Sequence, residues 1–213
     1  MANWYRMVVI DGIYYAVAMA GAGALVWWLA GPWIAAPLWL LAAFCIYFFR
    51  DPERVIPAGP VAVSPADGKV VAVKPEGPTT HRISIFLNVF DVHVNRAPIA
   101  GAIAKVEYQK GHFHVASREE SSTANEQNAV TVRGENTCVV FRQIAGLIAR
   151  RIVFYKKPGD RVAKGERVGL IKFGSRVDVL FGPEWEIVVR NGMRVAGGSS
   201  VIARLREDQP HGT

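Results

Sequence analysis

The sequence predicts a mainly β protein, a compact β sandwich or barrel, preceded by an N-terminal hairpin of two transmembrane helices. Two observations carry this prediction. Residues 1–50 hold two long apolar runs with a single internal charge, whereas residues 51–213 divide into short runs of β-branched and aromatic residues bounded by Gly, Pro, Asp or Asn. We therefore predict a membrane-anchoring domain over residues 1–50 and a β-rich domain over residues 51–213.

The two apolar runs have the length of membrane spans. The first covers residues 7–30, with Asp11 as its only charge, and the second covers residues 33–49 with none. A hydrocarbon core needs roughly 17–25 such residues. A signal peptide is an alternative for the first run, but its n-region holds a single Arg6 and a second apolar run follows. A buried hairpin in a soluble protein is the other alternative.

The charges around these runs predict their orientation. Arg6 precedes the first run, Arg50 and Arg54 follow the second, and the connection is uncharged. By the positive-inside rule both ends face the cytoplasm, which places the β-rich domain on the cytoplasmic side of the cell (inner) membrane. Small residues repeat every four positions along the first run and predict a face that packs on the second helix. They are Gly12, Ala16, Ala20 and Ala24.

The β-rich part reads as a series of short strands separated by turn residues. This spacing is typical of an all-β sandwich or barrel. The predicted strands are residues 61–63, 69–73, 82–90, 102–108, 129–133, 137–142, 151–155, 167–172, 176–181, 185–189 and 200–205. The polar run 117–128 is predicted to be a loop.

Charge and composition narrow the classes of partner. The formal net charge of +7 favours anionic partners, either nucleic acid or an anionic membrane. No RNA-binding or DNA-binding motif accompanies it, so we expect no nucleic acid. The two cysteines give no disulfide framework, which fits a reducing compartment. His112 and His114 alternate as a metal pair does, but no third ligand is marked, and we expect no metal.

Ser175 follows Gly174 between two predicted strands. The segment just before the pair, KPGDRVAKGERVG at residues 157–169, resembles the hairpin element of lipoyl and biotinyl carrier domains, whose glycines supply positive φ. A hydrolase nucleophile elbow is not indicated, because G-x-S-x-G is absent. A Gly-Ser pair can also cleave its own backbone: the hydroxyl attacks the preceding carbonyl, and elimination from the resulting ester leads to a pyruvoyl group. That reaction needs a nearby base for the hydroxyl proton.

Candidates for such groups lie upstream. Asp67 belongs to a Pro-Ala-Asp-Gly sequence, in which Asp-Gly by itself is more often a hairpin corner. Asp91, His93 and Asn95 alternate at the end of a very apolar run and therefore share one face. A lone histidine at a strand end is more often only hydrogen-bonded than catalytic, so the sequence leaves both roles open.

Taken together, these motifs resemble the phosphatidylserine decarboxylase family, in its short membrane-anchored bacterial form. The motifs occur in the family's order and extend over most of the chain. They are Phe48-Phe49-Arg50-Asp51-Pro52, Pro65-Ala66-Asp67-Gly68, Asp91-Val92-His93-Val94-Asn95-Arg96-Ala97-Pro98, Asn125-Glu126 and Phe173-Gly174-Ser175-Arg176.

The resemblance implies a pyruvoyl-dependent enzyme that cleaves itself between Gly174 and Ser175. The products would be a β chain, residues 1–174, and an α chain, residues 175–213, which form a heterodimer. The cofactor would be the pyruvoyl group derived from Ser175, with no metal and no pyridoxal phosphate. Asp67 and a histidine of the Asp91–Arg96 segment would form a charge relay with Ser175. Long-form relatives carry a second histidine where this chain has Arg96, which leaves His93 alone in the motif.

The implied reaction converts phosphatidylserine, held in an anionic membrane, to phosphatidylethanolamine through a Schiff base to the pyruvoyl group. His93 would return a proton to the substrate. From charge and position alone, we expect Arg50, Arg54 and Arg96 to attract or hold its phosphate or carboxylate, and Asp91 to contact it. Two alternatives stay open: a non-enzymatic membrane-anchored adaptor with a lipoyl-like domain, and an archaetidylserine decarboxylase. A higher homo-oligomer is also left open.

Overall fold

The computed structural model describes residues 8–111, 125–146, 151–172 and 174–206. The chain divides into two compact units, Met1–Glu53 and Arg54–Thr213. Within the described ranges the helices belong to the first unit and the strands to the second, apart from an isolated bridge between Val8 and Arg50. The fold is mainly β, which confirms the predicted fold class.

Two apolar helices make up most of the first unit. Helix α1 is Ile10–Ala30 and helix α2 is Pro32–Phe48. Gly31 separates them with a φ of +91°, and Pro32 starts α2 where its missing N–H costs nothing. With 21 residues and a mean hydropathy of 1.6, α1 is long and apolar enough to cross a membrane, whereas α2 is shorter at 17 residues.

The face of α1 that packs on α2 differs from the predicted one. Gly12 and Ala16 are buried as predicted, but Ala20 and Ala24 are exposed and Gly23 is buried instead. An α-helix has 3.6 residues per turn, so a strict four-residue repeat drifts away from the contact face within two turns. At Gly23 an added Cβ would collide with the indole of Trp39, and this explains the small residue there.

The second unit is built on an eight-stranded antiparallel sheet that curls into a half-barrel. Its strand order is β13-β2-β3-β11-β7-β6-β5-β9. The strands are β2 Gly68–Pro75, β3 His81–Leu87, β5 Gly101–Gln109, β6 Gln127–Arg133, β7 Cys138–Ile144, β9 Arg161–Val162, β11 Ser175–Phe181 and β13 Arg194–Val195.

Two three-stranded sheets complete this unit. One has the order β1-β14-β12 and the other β4-β10-β8. The strands are β1 Val61–Val63, β4 Val94–Arg96, β8 Ile152–Phe154, β10 Arg167–Ile171, β12 Trp185–Ile187 and β14 Val201–Leu205. Every predicted strand is present. The additional strands β4, β9 and β13 are two or three residues long, too short to show an alternating pattern.

The carrier-like segment turns where its glycines predict. Gly159 and Gly165 have φ values of +95° and +75°. The strands on either side do not pair with each other, however, because β9 pairs with β5 whereas β10 pairs with β4 and β8. His112, His114 and residues 117–124 of the predicted loop lie outside the described residues, and the last two loop positions belong to β6.

Strand β11 divides the core from a buried polar layer. Val177, Val179 and Phe181 face the apolar core. The intervening Arg176 and Asp178 point to the opposite face of the sheet, also fully buried. Ser175 shares the side of Val177 and therefore enters the core at the start of the strand.

Candidate active site

The Gly174-Ser175 pair is the start of a central strand. Ser175 pairs with Leu87 of β3 and is fully buried, and its hydroxyl makes no hydrogen bond with a described residue. Gly174 has a φ of +54°, and nothing lies within 4 Å of the position a Cβ would take. Glycine suits this left-handed backbone, since most L-residues would cost roughly 1–2 kcal/mol there. Phe173 lies outside the described residues.

Strand pairing brings motifs that are distant in sequence to the same end of the eight-stranded sheet. Lys69, Phe86, Arg176, Ile144 and Gln127 stand side by side on five neighbouring strands. The residue before or after each of them therefore lies along the same edge. The Pro-Ala-Asp-Gly motif, the Gly-Ser pair and the Asn-Glu motif all end there.

The Asn-Glu motif is held firmly at this edge. The buried Asn125 donates its side-chain amide to the carbonyl of Ala145 at 2.7 Å, and the Ala145 N–H donates to the carbonyl of Glu126 at 2.9 Å. A hydrogen bond with the Glu126 carboxylate, aided by partial burial and by its charge, raises the pKa of Tyr108 to about 12.

His93 is buried and its proton is placed by the backbone. Its Nδ1 lies 2.9 Å from the carbonyl oxygen of Asp91. A carbonyl only accepts, so Nδ1 carries the proton of the neutral ring and Nε2 carries the lone pair. The carbonyl of His93 accepts from the N–H of Ile171 at 3.2 Å, which aligns the histidine with the end of the strand that leads into Ser175.

Asp67 is bound by an arginine and a backbone amide. Its carboxylate oxygens lie 3.0 and 2.8 Å from Nη2 of Arg54, and one of them accepts from the N–H of Gly197 at 2.7 Å. These are the hydrogen bonds of the Asp67 carboxylate within the described ranges. The histidine contact implied by the family resemblance is not among them.

Arg96 and Asp91, the expected substrate contacts, have protein partners. Arg96 is buried and its Nη1 donates to the carbonyl of Gly165 at 3.0 Å. Asp91 accepts from the N–H of Asn88 at 2.9 Å and pairs with the exposed Arg194 at 3.0 Å. Of the three residues predicted to share a face, His93 and Asn95 are buried and Asn95 alone lies in a strand, whereas the side chain of Asp91 is 11% exposed.

Two buried clusters of polar side chains near Ser175 were not predicted from the sequence. In the first, Arg176 donates to Asp178 at 2.6 Å and to Ser84 at 2.6 Å, and Arg82 reaches the same aspartate at 3.2 Å. The second is a chain of side-chain amides formed by Asn128, Gln143 and Asn95. The alternation of Arg176 and Asp178 with valines in β11 was the available signal for the first cluster, and no sequence pattern indicated the second.

No group of three or more His, Cys, Asp or Glu side chains arranged to hold a metal ion occurs in the part of the chain that the structure describes.

Comparison with known proteins identifies the family. The family model described as phosphatidylserine decarboxylase matches residues 41–203. A phosphatidylserine decarboxylase proenzyme of Solibacter usitatus is 74% identical over 92% of this chain and 96% of its own length. Proenzymes of the same name from Cupriavidus taiwanensis and Burkholderia cenocepacia are 46% and 42% identical, over 83% and 95% of this chain and 85% and 98% of theirs. The chain therefore belongs to the phosphatidylserine decarboxylase family.

Proposed function

We propose that this chain is the proenzyme of a phosphatidylserine decarboxylase, which cleaves itself between Gly174 and Ser175 and then converts phosphatidylserine to phosphatidylethanolamine. The observation that carries the proposal is the fully buried Ser175 hydroxyl, which has no hydrogen-bond partner among described residues and follows a left-handed glycine. An unsatisfied buried hydroxyl costs about 1–3 kcal/mol, so a serine with only a structural role is expected to have a partner. A non-enzymatic adaptor does not account for this cost.

The proposed self-cleavage uses the hydroxyl of Ser175 and the imidazole of His93. Nε2 of His93 takes the hydroxyl proton while Oγ of Ser175 bonds to the carbonyl carbon of Gly174. The peptide C–N bond then breaks as the nitrogen is protonated, which leaves an ester. Loss of the Cα proton of residue 175 expels the Gly174 carboxylate, and hydrolysis of the resulting dehydroalanine releases ammonia. The absence of a side chain on Gly174 leaves the carbonyl open to attack.

The residues around Ser175 fit a pyruvoyl group. When present, that group supplies a carbonyl that takes up the electron pair left by the departing carboxylate. The core face beside Leu87 and Val177 excludes water from the position. His93 Nε2 is the proposed donor of the proton that returns to the substrate. Arg96 and Asp91 are the proposed substrate contacts, a role tested by the effect of Arg96→Ala on KM.

The two fragments are proposed to stay together as a heterodimer. Strands β11 to β14 follow Gly174 and would belong to the α chain. Four of their pairings are with strands of the β chain: β11 with β3 and β7, β13 with β2, and β14 with β1. Cleavage removes one covalent bond and leaves these ladders intact.

The substrate lipid and the anchor are proposed to share one membrane. Helix α1 is long enough to span it, and α2, at 17 residues, is at the lower end of the usual range of roughly 17–25. The net charge of +7 favours an anionic bilayer. The flanking arginines support an inner-membrane location with the catalytic unit in the cytoplasm.

The test is a decarboxylation assay on the full chain with phosphatidylserine vesicles. We expect release of CO₂ and formation of phosphatidylethanolamine by the parent chain, and neither product from Ser175→Ala. Thr131→Ala is the matched control, because its hydroxyl lies on the same sheet in a different row. Activity of the Ser175→Ala variant equal to that of the parent would remove Ser175 from the mechanism.

A further inference from the structure

Three buried amide side chains form a hydrogen-bonded chain beside the Ser175 strand. Asn128 donates its Nδ2 to Oε1 of Gln143 at 2.9 Å, and Gln143 donates its Nε2 to Oδ1 of Asn95 at 2.9 Å. Asn95 and Gln143 are fully buried and Asn128 is nearly so. We call this set the amide chain.

The direction of the amide chain is fixed by a backbone carbonyl. The Gln143 atom next to Asn95 also lies 3.4 Å from the carbonyl oxygen of Val153, and a carbonyl requires a donor there. That atom is therefore the nitrogen, and the Asn95 atom facing it is the oxygen. Nδ2 of Asn95 is left at the end of the chain without a partner among described residues.

The amide chain joins the two elements that carry the proposed reacting groups. Gln143 of β7 pairs with Val177, which lies two residues beyond Ser175 on the same face of β11. Asn95 lies in β4, and His93 is the residue directly before that strand. The Gln143–Asn95 hydrogen bond thus connects β4, which directly follows His93, to the sheet that contains Ser175.

Stability alone does not explain this arrangement. A buried amide chain that ends in an unpaired N–H costs free energy, whereas apolar side chains of the same size avoid that cost. We therefore expect such a chain where the relative position of two strands matters more for function than the free energy of their packing.

We propose that Gln143 and Asn95 are positioning residues for self-cleavage, and that their hydrogen bond sets the spacing between His93 and Ser175. This inference rests on the proposed function, with His93 as the base. A displacement of about 1 Å between reacting groups slows a reaction by roughly 100-fold, and this sets the expected size of the effect.

The test follows conversion of the full-length chain to its two fragments after cell-free synthesis into lipid nanodiscs. Gln143→Leu is expected to cleave about 100-fold more slowly than the parent. Gln109→Leu is the matched control, because Gln109 receives a similar cross-strand amide bond from Gln127 on the same sheet, at its surface-exposed side. It should cleave at the parent rate.

A second variant separates positioning from stability. Asn95→Leu/Gln143→Leu removes both partners, so its unfolding midpoint, measured in a Ser175→Ala background, should match or exceed that of the Gln143→Leu variant. Its cleavage should stay slow. If cleavage rates instead follow the unfolding midpoints across these variants, the role is structural and the inference fails.

A third variant tests whether Gln143 acts through His93. In a His93→Ala background, Gln143→Leu should slow cleavage by less than about twofold, because the group it positions is gone. A full additional loss in that background, or parent-like cleavage of Gln143→Leu alone, overturns the inference. Absence of cleavage in the parent chain refutes the proposed function itself, and parent-like cleavage of His93→Ala refutes His93 as the base and the inference with it.

Discussion

Replacing Gly174 by alanine tests the backbone geometry on which the site depends. At a φ of +54° a Cβ costs roughly 1–2 kcal/mol, and nothing within 4 Å adds a collision to that strain. In a Ser175→Ala background, which removes cleavage from the measurement, we expect unfolding to become easier by that amount. For a chain of this size this corresponds to a fall in Tm of roughly 2–8 °C.

The assay is thermal unfolding of the full chain in detergent, followed by the circular dichroism of the strands. Gly192→Ala is the matched control, because Gly192 also has a positive φ, +92°, and open space around its Cβ position. The two variants should lose similar stability. An unchanged Tm for Gly174→Ala, beside the expected loss for Gly192→Ala, would show that residue 174 does not need a left-handed backbone.

Three further perturbations test other parts of the site. Asp178→Asn removes a buried carboxylate that Arg176 contacts at 2.6 Å and Arg82 at 3.2 Å, and Arg82 keeps its ion pair with Glu76. We expect this change to cost about 3–5 kcal/mol in urea unfolding. Glu107→Gln, at an exposed pair with Lys105, should cost less than about 1 kcal/mol, and equal losses for the two variants contradict this expectation. Asp67→Asn weakens the contacts of this side chain to Arg54 and Gly197, so it should lower the free energy of unfolding by about 1–3 kcal/mol and slow self-cleavage. Cleavage at the parent rate would show that Asp67 has no part in self-cleavage. Burial alone would raise the pKa of Glu166, but hydrogen bonds from Lys156 and from the Ala163 N–H outweigh it, so the folded-state pKa is lowered. The stabilisation is therefore present above the ordinary glutamate pKa and lost as the pH falls through the folded-state value, and Glu166→Gln should flatten this acid loss in a series of unfolding midpoints.

Local patterns were sufficient for much of the fold. The apolar runs gave both helices to within a few residues, and alternation between turn residues located every strand longer than three residues. The Gly174-Ser175 pair was selected for its motif and not for its conformation. The amino-acid sequence does not distinguish a Gly-Ser pair in an ordinary turn from this pair, in which the glycine has a φ of +54° and the serine is buried.

Contacts between distant strands were out of reach. The Asn128–Gln143–Asn95 chain joins three separate strands, and no spacing along the sequence relates them. The pairing of Asp67 with Arg54 likewise depends on how the segment before β1 passes the turn before β2. The exposed Ala20 shows a different limit of prediction from sequence. A four-residue repeat predicts one helix face, but the helical period is 3.6 residues, so the repeat leaves that face.

The intact mass of the purified protein tests the central claim most directly. We expect two fragments whose masses correspond to a break between Gly174 and Ser175, with the smaller fragment blocked at its N-terminus and reactive toward carbonyl reagents. Ser175→Ala should give one mass, that of the uncleaved chain. A parent protein that also gives one uncleaved mass, with no carbonyl-reactive group, would contradict the account.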